Sequence, residues 1–264
     1  MNTPAKLFTS GEEYEMQMGR WSRLVGSQFI DWLGVAKGLR WVDIGCGNGA
    51  FTQIVLDRAA PSSVAGIDPS EGQIDYARRT VTAPNVTFEV GGAQALPFPD
   101  RAFDVAAMAL VISFVPDPAK AVAEMVRVTK PGGVVATYMW DFLAGGVPVE
   151  PTYEAFRQMG RASAMPAGAP ASRRDALQDY WQKAGLEAVE TRVIRIPVVY
   201  SDFEDFWTAN SKPSGPQGVI LHNMTPAEKD ETRACLRKIL PIAADGTIRY
   251  EAFANAVKGR VPAE

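Results

Sequence analysis

One short segment limits the possible folds of this chain more than any other. A strand-like apolar run ending at Ile44 leads into three glycines, Gly45, Gly47 and Gly49, and a helix-like segment begins at Ala50. Glycines at such a junction permit a tight turn and let the backbone approach a ligand without a Cβ in the way. The start of the following helix adds a partial positive charge that attracts a carboxylate or a phosphate. The segment therefore predicts a nucleotide-binding turn after the first strand of an α/β sheet.

Around this turn the chain alternates strand-like and helix-like segments, the pattern of a parallel sheet covered by helices. The predicted strands are residues 39–44, 64–67, 85–90, 103–112, 134–140, 186–200 and 247–261. The predicted helices are residues 20–34, 50–60, 71–82, 119–129, 176–185, 203–210 and 226–240. Ser70 is placed to cap the third helix, and the last strand is expected to close the sheet beside the sixth. The expected fold class is α/β, a Rossmann-like, doubly wound, mostly parallel seven-stranded sheet with helices on both faces.

The sequence predicts a single domain over residues 1–264, with helical insertions above the sheet. Its expected parts are an N-terminal helical cap (1–38), a cofactor-binding core (39–140) and two insertions that cover the active site (141–175 and 201–245). The first insertion is rich in Gly, Pro, Ala and Ser and has too few large apolar side chains for a core of its own.

Composition excludes several classes of function. The longest apolar run, Val105–Ile112, is far shorter than the roughly 20 residues of a membrane helix, and residues 1–11 do not have the pattern of a signal peptide. Lys and Arg number 27 against 30 Asp and Glu, giving a net charge of −3 without the basic excess of a nucleic-acid binder. Two cysteines and one histidine exclude a disulfide framework and a Cys/His zinc site. We expect a cytoplasmic protein without membrane, nucleic-acid or metal partners.

Two aspartates indicate which ligand the turn accepts. Asp43 comes two residues before Gly45, where a carboxylate would repel a pyrophosphate but suits an ammonium or a sulfonium group. Asp68 ends the second strand, 19 residues after Gly49, where its two oxygens can accept hydrogen bonds from both hydroxyls of a ribose. A ligand with a ribose, an ammonium and a carboxylate but no phosphate describes S-adenosylmethionine.

The glycine spacing leaves a second interpretation open. Gly45, Gly47 and Ala50 also satisfy the dinucleotide form of the motif, which would suit an NAD(P)-dependent oxidoreductase. Asp43 and the absence of a convincing catalytic pair for hydride and proton transfer speak against it. A third interpretation is a non-catalytic, cofactor-binding regulator.

At this point the sequence also resembles a known family, the class I S-adenosylmethionine-dependent methyltransferases, and within it the small-molecule, type 11-like enzymes of bacteria. Five segments carry the resemblance in order: Asp43-Ile44-Gly45-Cys46-Gly47-Asn48-Gly49, Gly66-Ile67-Asp68-Pro69-Ser70, Ala95-Leu96-Pro97-Phe98-Pro99-Asp100, Phe103-Asp104-Val105 and Arg127-Val128-Thr129-Lys130-Pro131-Gly132-Gly133. Tyr14 and Gly19-Arg20-Trp21-Ser22 match the stretch that precedes the first motif in that family. The resemblance covers about residues 10–140. It implies methyl transfer from S-adenosylmethionine to a small-molecule acceptor, with S-adenosylhomocysteine as product, in a monomer or homodimer.

The resemblance also implies cofactor-binding roles, which we carry over residue by residue. The methionine end would be held by Asp43, Gly45, Cys46, Gly47, Asn48 and Gly49, and the ribose by Asp68. The adenine side would be lined by Pro69, Ser70 and Gln73, and the sulfonium by Ala109, Leu110 and Val111. Arg20 and Trp21 would close over the cofactor. Relatives place an acid after the third strand, but this chain has Gly91-Gly92-Ala93-Gln94, so Gly92, Ala93 or Gln94 would contact the adenine without a carboxylate.

No catalytic base is obligatory, because the sulfonium already activates the methyl group and positioning alone can supply effective molarities of about 10⁵–10⁸ M. The candidates for such a base are Tyr14, Tyr138, Asp141 and His222. Cys46 and His222 are favoured as a packing residue and a surface residue respectively. The aromatic residues Tyr138, Trp140, Phe142 and Tyr153 either line a substrate pocket or belong to the core.

Overall fold

The architecture was determined from a computed structural model, which describes residues 18–161, 165–213 and 215–263. The described residues form one seven-stranded sheet in the order β3-β2-β1-β4-β5-β7-β6. The strands are β1 (Arg40–Ile44), β2 (Ser63–Asp68), β3 (Val86–Val90), β4 (Phe103–Ala109), β5 (Thr129–Trp140), β6 (Glu187–Tyr200) and β7 (Ile248–Arg260). Strands β1 to β5 pair in parallel, and β7 runs antiparallel to both β5 and β6. The predicted mostly parallel, seven-stranded α/β fold is confirmed.

Helices connect the strands and cover the sheet. They are α1 (Arg20–Leu33), α2 (Ala50–Ala59), α3 (Glu71–Thr80), α4 (Pro118–Val128), α5 (Glu150–Gln158), α6 (Arg174–Lys183), α7 (Phe203–Asn210), α8 (Gly215–Asn223) and α9 (Pro226–Ile239). Short 3₁₀ turns lie at Ile112–Phe114 and Ala169–Ser172. No helix of the described residues is both long enough and apolar enough to cross a bilayer.

The central strands form because their side chains are buried on both faces of the sheet. Trp41, Val42 and Ile44 of β1 are fully buried, as are Val105 and Met108 of β4. Near-continuous apolar runs of this kind are typical of parallel strands covered by helices on both sides. The carboxyl ends of these strands therefore meet at one edge, where ligands bind in open α/β sheets.

Helix α1 packs next to the glycine turn through a stripe of apolar residues. Trp21, Val25, Phe29 and Leu33 recur every four residues, and all four are buried. The ring of Phe29 lies 6.0 Å from that of Phe51, in the first turn of α2. This contact fixes α1 beside the helix that begins at the turn.

Strands β6 and β7 extend beyond the parallel part of the sheet. Trp140 at the end of β5 pairs with Ala254, whereas Tyr200 at the end of β6 pairs with Ile248. The two strands therefore continue past β5 by six residues, or roughly 20 Å. We call this extension, Arg195–Tyr200 with Ile248–Phe253, the ribbon tip.

The structure corrects several local predictions. The fourth strand ends at Ala109 instead of Ile112, where a 3₁₀ turn begins. Strand β5 begins at Thr129 instead of Val134, because Thr129 already pairs with Phe103 of β4. Ser70 makes no side-chain cap; its backbone N–H donates to Asp68 instead. Residues 215–223, which lie outside the predicted helices, form helix α8.

Candidate cofactor and acceptor site

The glycine turn adopts a backbone conformation that only glycine accepts readily. Gly45, Gly47 and Gly49 have φ values of +74°, +51° and +83°. A Cβ on Gly45 would lie 2.5 Å from Cγ2 of Val111, so this glycine is also needed for packing. A Cβ on Gly47 would meet no atom within 4 Å. The turn therefore packs against Val111 at Gly45, whereas the space next to Gly47 is free.

Most N–H groups of the turn donate within the protein. Those of Gly45 and Cys46 bond to the carbonyl of Ile67 at 2.7 and 3.0 Å. The N–H of Gly47 bonds to Asp68, that of Gly49 to the carbonyl of Cys46, and that of Ala50 to the side chain of Asn48. Such a turn differs from a phosphate-binding nest, whose N–H groups point at the ligand. This outcome was not visible in the sequence, which suggested that the turn's N–H groups were available to an anion.

Asp43 is a buried carboxylate with one unpartnered oxygen. Its Oδ2 accepts a hydrogen bond from Oγ1 of Thr52 at 2.6 Å, while Oδ1 has no donor. Burial raises the pKa of Asp43 to about 7, and the charge of Asp68 adds to the rise although the Thr52 hydroxyl opposes it. A positively charged group beside Oδ1 would restore the pairing that burial requires.

Asp68 lies at the end of β2 and is oriented by two backbone N–H groups. Gly47 donates to its Oδ2 at 3.0 Å and Ser70 donates to its Oδ1 at 2.8 Å. Burial raises the pKa of Asp68 despite these two bonds. Since a carboxylate has about four acceptor positions, each oxygen can accept one further hydrogen bond, as two ribose hydroxyls would require.

Cys46 is part of an apolar cluster with Ile74, Ala77, Val81 and Phe88. Burial and the charges of Asp43 and Asp68 raise the pKa of its thiol well above the usual value. The thiol is therefore protonated at neutral pH and unreactive. Its position fits the packing role favoured from the sequence.

The residues predicted to contact adenine lie around the ends of β2 and β3. Pro69 is exposed and Gln73 is buried on α3. The N–H of Gly91 bonds to the carbonyl of Asp68 at 3.0 Å, which holds the segment with Gly92, Ala93 and Gln94 beside Asp68. A Cβ on Gly92 would meet no atom within 4 Å, so the backbone there is open to a ligand.

The segment after β4 lies against the glycine turn. Val111 contacts Gly45, and the N–H of Leu110 bonds to the carbonyl of Tyr138 at 2.9 Å. Leu110 has φ of +61°, a strained conformation for a residue with a side chain. The structure thus places Val111 against the turn. Contact of Ala109, Leu110 and Val111 with the sulfonium stays a prediction.

Arg20 and Trp21 lie beside the ribbon tip. Both contact Tyr200 of the ribbon tip, and Arg20 also pairs with Asp205 of α7. Their predicted closure over the cofactor stays a prediction.

The candidate bases lie in different surroundings. Tyr14 lies outside the described residues. Tyr138 is 1% exposed, with its ring 4.6 Å from that of Phe29. Asp141 is used in the fold: its Oδ1 accepts from two backbone N–H groups, of Leu143 and Ala144, and its Oδ2 accepts from Asn255.

His222 is exposed on α8 and lines a surface depression of about 450 Å³ beside Trp207 and Lys229. The aromatic residues Tyr138, Trp140, Phe142 and Tyr153 are all buried, which favours the core interpretation. Within the ranges that the structure describes, no group of three or more His, Cys, Asp or Glu side chains is placed to hold a metal.

Comparison with protein families shows which family the central part of the chain is similar to. The sequence model of a methyltransferase domain matches residues 42–137, from β1 to β5. Residues 42–137 form a methyltransferase domain. It contains strands β1 to β5, and Asp43 and Asp68 lie within it.

Curated relatives of the methyltransferase domain include two demethylmenaquinone methyltransferases. The protein of Renibacterium salmoninarum is 39% identical over 124 residues, 46% of this chain and 49% of that one. The protein of Staphylococcus aureus strain MRSA252 is 37% identical over 130 residues, 48% of this chain and 50% of that one. The chain spans about half the length of the curated relatives it matches.

Solved structures share the fold at low identity. A putative methyltransferase of Bacillus halodurans superposes with a TM-score of 0.59 at 18% identity, covering 89% of this chain and 98% of that one. Phosphoethanolamine N-methyltransferase 2 of Haemonchus contortus, solved with S-adenosyl-L-methionine, gives a TM-score of 0.60 at 18% identity, covering 95% and 56%. These likenesses show that the methyltransferase fold extends over most of this chain.

The residues of the methyltransferase domain fit S-adenosylmethionine. The buried oxygen of Asp43 without a donor suits an ammonium, and the open backbone at Gly47 leaves room beside it. Thr52 is a residue of the candidate site that the sequence analysis missed, since its hydroxyl holds Asp43. The signal was a polar residue on the buried face of α2, nine positions after Asp43.

Proposed function

We propose that this protein transfers a methyl group from S-adenosylmethionine to a small-molecule acceptor. One observation carries the proposal: Asp43 and Asp68 are both desolvated carboxylates, close enough for the charge of Asp68 to raise the pKa of Asp43, on either side of an open glycine turn. Two such charges repel a pyrophosphate and attract a cationic nucleoside. The turn's N–H groups, which already donate within the protein, support the same choice.

The protein's contribution is binding and alignment. Asp43 would hold the ammonium of the methionine end, and Asp68 the two ribose hydroxyls. Leu110 and Val111 would form the apolar wall next to the reacting group. When bound, the sulfonium supplies an electrophilic methyl group, so displacement in line by an acceptor nucleophile needs chiefly orientation and exclusion of water.

The comparisons support S-adenosylmethionine as the methyl donor more strongly than they support any particular methyl acceptor. The matched family segment ends at residue 137, before helices α5 to α9. The relatives' name refers to demethylmenaquinone, but about half of their length lies outside the match. We therefore propose only a small molecule, covered by the insertions 141–175 and 201–245, with residues 1–38 as cap and 39–140 as the cofactor-binding core. We further propose that the protein is a monomer or homodimer in the cytoplasm.

Calorimetry and a turnover assay test the proposal. S-adenosylhomocysteine is expected to bind the purified protein, whereas NADH and NADPH are expected not to bind. Binding of NAD(P)H instead would favour the oxidoreductase interpretation. Transfer of a labelled methyl group to a metabolite extract, absent in Asp43→Ala, would exclude a non-catalytic regulator.

A further inference from the structure

Two motif segments that the cofactor site does not use are joined to each other in the structure. The first, residues 95–100, lies in the loop between β3 and β4, and the second begins with Arg127 in the last turn of α4. Arg127 donates through Nη2 to the carbonyl of Leu96 at 3.0 Å and through Nη1 to that of Phe98 at 2.8 Å. A side chain of α4 thus holds a loop that has no helix or strand of its own.

Glu124 completes this contact. Its Oε2 accepts from the N–H of Leu96 at 2.7 Å, and its two oxygens accept from Nε and Nη2 of Arg127 at 2.7 and 2.8 Å. One ion pair on α4 therefore binds both backbone polar groups of Leu96. The side chains of Glu124 and Arg127 are only 18% and 31% exposed, so solvent and salt weaken this pair less than a surface pair. We call Glu124 and Arg127 the loop clasp.

Short contacts connect the clasped part of the loop to the segment predicted to lie beside the adenine. The N–H of Ala95 bonds to the carbonyl of Gly92 at 3.3 Å, and a Cβ on Gly91 would lie 3.9 Å from Cδ of Pro97. The loop therefore folds back on itself here. The N–H of Gly91 also bonds to the carbonyl of Asp68 at 3.0 Å. The segment is thus fixed on one side by the predicted ribose residue and on the other by the loop clasp.

A fixed backbone matters in this segment because it has no carboxylate. Residues 91–94 read Gly-Gly-Ala-Gln, which leaves backbone groups and the amide of Gln94 to contact the adenine. Gly92 is exposed, and a Cβ there would meet no atom within 4 Å. A backbone N–H or C=O distinguishes one base from another only if its direction is fixed, since hydrogen bonds weaken steeply as they bend. Selection of adenine therefore requires that the loop be held.

We propose that the loop clasp positions the backbone of residues 91–94 to select the adenine base. Arg127 is in this sense a positioning residue, which acts through the loop and not by contact with the cofactor. The inference rests on the proposed function and deepens it, because it assigns base selectivity to an ion pair on α4.

Calorimetry with two matched ligands tests the assignment. S-adenosylhomocysteine and S-inosylhomocysteine differ only in the base, where an oxygen replaces the 6-amino group of adenine. We expect the wild type to bind the adenine ligand at least about tenfold more tightly, as for a hydrogen bond left unmade. Arg127→Ala should reduce this preference to less than about threefold.

Arg157→Ala is the matched control. Arg157 pairs with Glu154 three residues earlier on α5, as Arg127 pairs with Glu124 on α4. The control therefore removes an ion pair of the same spacing from a different helix. It should keep the wild-type preference for adenine.

A clasp that only stabilised the fold would change the affinity for both ligands alike. Equal losses for the two ligands in Arg127→Ala, an unchanged preference, or a wild type without preference would each overturn the inference. If Arg127→Ala fails to fold, Arg127→Lys decides: a lysine cannot hold two carbonyls and a carboxylate at once, so the preference should still fall at least about threefold. An unchanged preference in that variant would contradict the assignment. If the wild type binds neither ligand, the proposed function itself is rejected, and this inference with it.

Discussion

The Thr52 hydroxyl donates to Oδ2 of Asp43 at 2.6 Å across the glycine turn, and leaves the other carboxylate oxygen buried without a donor. Nine residues separate the two in the chain, and the turn between them folds the start of α2 back onto the end of β1. The arrangement keeps one face of the carboxylate fixed and the other available to a cation. It also has a cost in stability, because burial opposes ionisation.

The first prediction concerns stability and pH. Because the pKa of Asp43 is about 7 in the folded protein against 3.8 without burial, the folded state binds more protons than the unfolded state between these values. Wild-type stability should therefore fall as pH rises from 4 to 7, by at most about 4 kcal/mol. Asp43→Asn should not show this loss. Urea denaturation at pH 5 and pH 8 measures the difference, and Asp57→Asn, exposed on α2, is the control. Parallel pH profiles for wild type and Asp43→Asn would refute the assignment.

The second prediction concerns cofactor affinity and pH. Only ionised Asp43 pairs with an ammonium, so S-adenosylhomocysteine should bind roughly tenfold more tightly at pH 8 than at pH 6. In Asp43→Asn this pH dependence should disappear and affinity at pH 8 should fall about 10- to 150-fold. Calorimetry at both pH values gives the result. A pH-independent wild-type affinity would argue against contact between Asp43 and the ammonium.

Asp68→Ala tests the ribose site. The variant should weaken S-adenosylhomocysteine binding by about 1.5–3 kcal/mol, which is about 10- to 150-fold in the dissociation constant. It also removes the acceptor for the N–H groups of Gly47 and Ser70. Asp75→Ala, exposed on α3, should bind as the wild type does. An unchanged affinity in folded Asp68→Ala would reject the ribose assignment.

Two glycines of the turn should respond differently to alanine. Gly45→Ala combines an unfavourable φ with a clash against Val111 and should destabilise the protein by about 2–5 kcal/mol. Adding Val111→Ala should recover part of this loss. Gly47→Ala should cost only about 1–2 kcal/mol, since its methyl group enters open space, yet weaken cofactor binding. Thermal unfolding and calorimetry separate the two effects. Equal destabilisation by both substitutions would contradict this difference.

Asn255 connects β7 to the first insertion. Its Nδ2 donates to Asp141 at 2.8 Å and to the carbonyl of Ser172 at 2.9 Å, and both bonds are buried. Asn255→Ala should lower the free energy of unfolding by about 2–4 kcal/mol. It should also expose residues 165–172 to proteolysis while sparing cofactor affinity. Asn223→Ala, at the exposed end of α8, is the matched control. If Asn255→Ala has the same free energy of unfolding as the wild type, these bonds do not hold the insertion.

Several elements were predictable because their signals are local. Helix α7 has the predicted bounds, Phe203–Asn210, and β7 lies beside β6 as expected. The start of β5 was missed because Pro-Gly-Gly is typical of a loop, whereas Thr129 is held by its pairing with Phe103. Helix α8 was missed because it begins with Gly-Pro and has no one-sided apolar pattern; the packing of Leu221 against Phe156 and Met224 stabilises it.

The sequence by itself determined the alternation of strands and helices in the core (39–140), the position of the turn and the two carboxylates that flank it. These follow from periodicity, glycine spacing and charge, which are properties of neighbouring residues. Only the tertiary structure decided which oxygen of Asp43 is left without a donor, that the turn's N–H groups are already engaged, and that Arg20 stacks on Tyr200. Those outcomes depend on burial and on partners from distant parts of the chain, which come together only when the sheet is assembled.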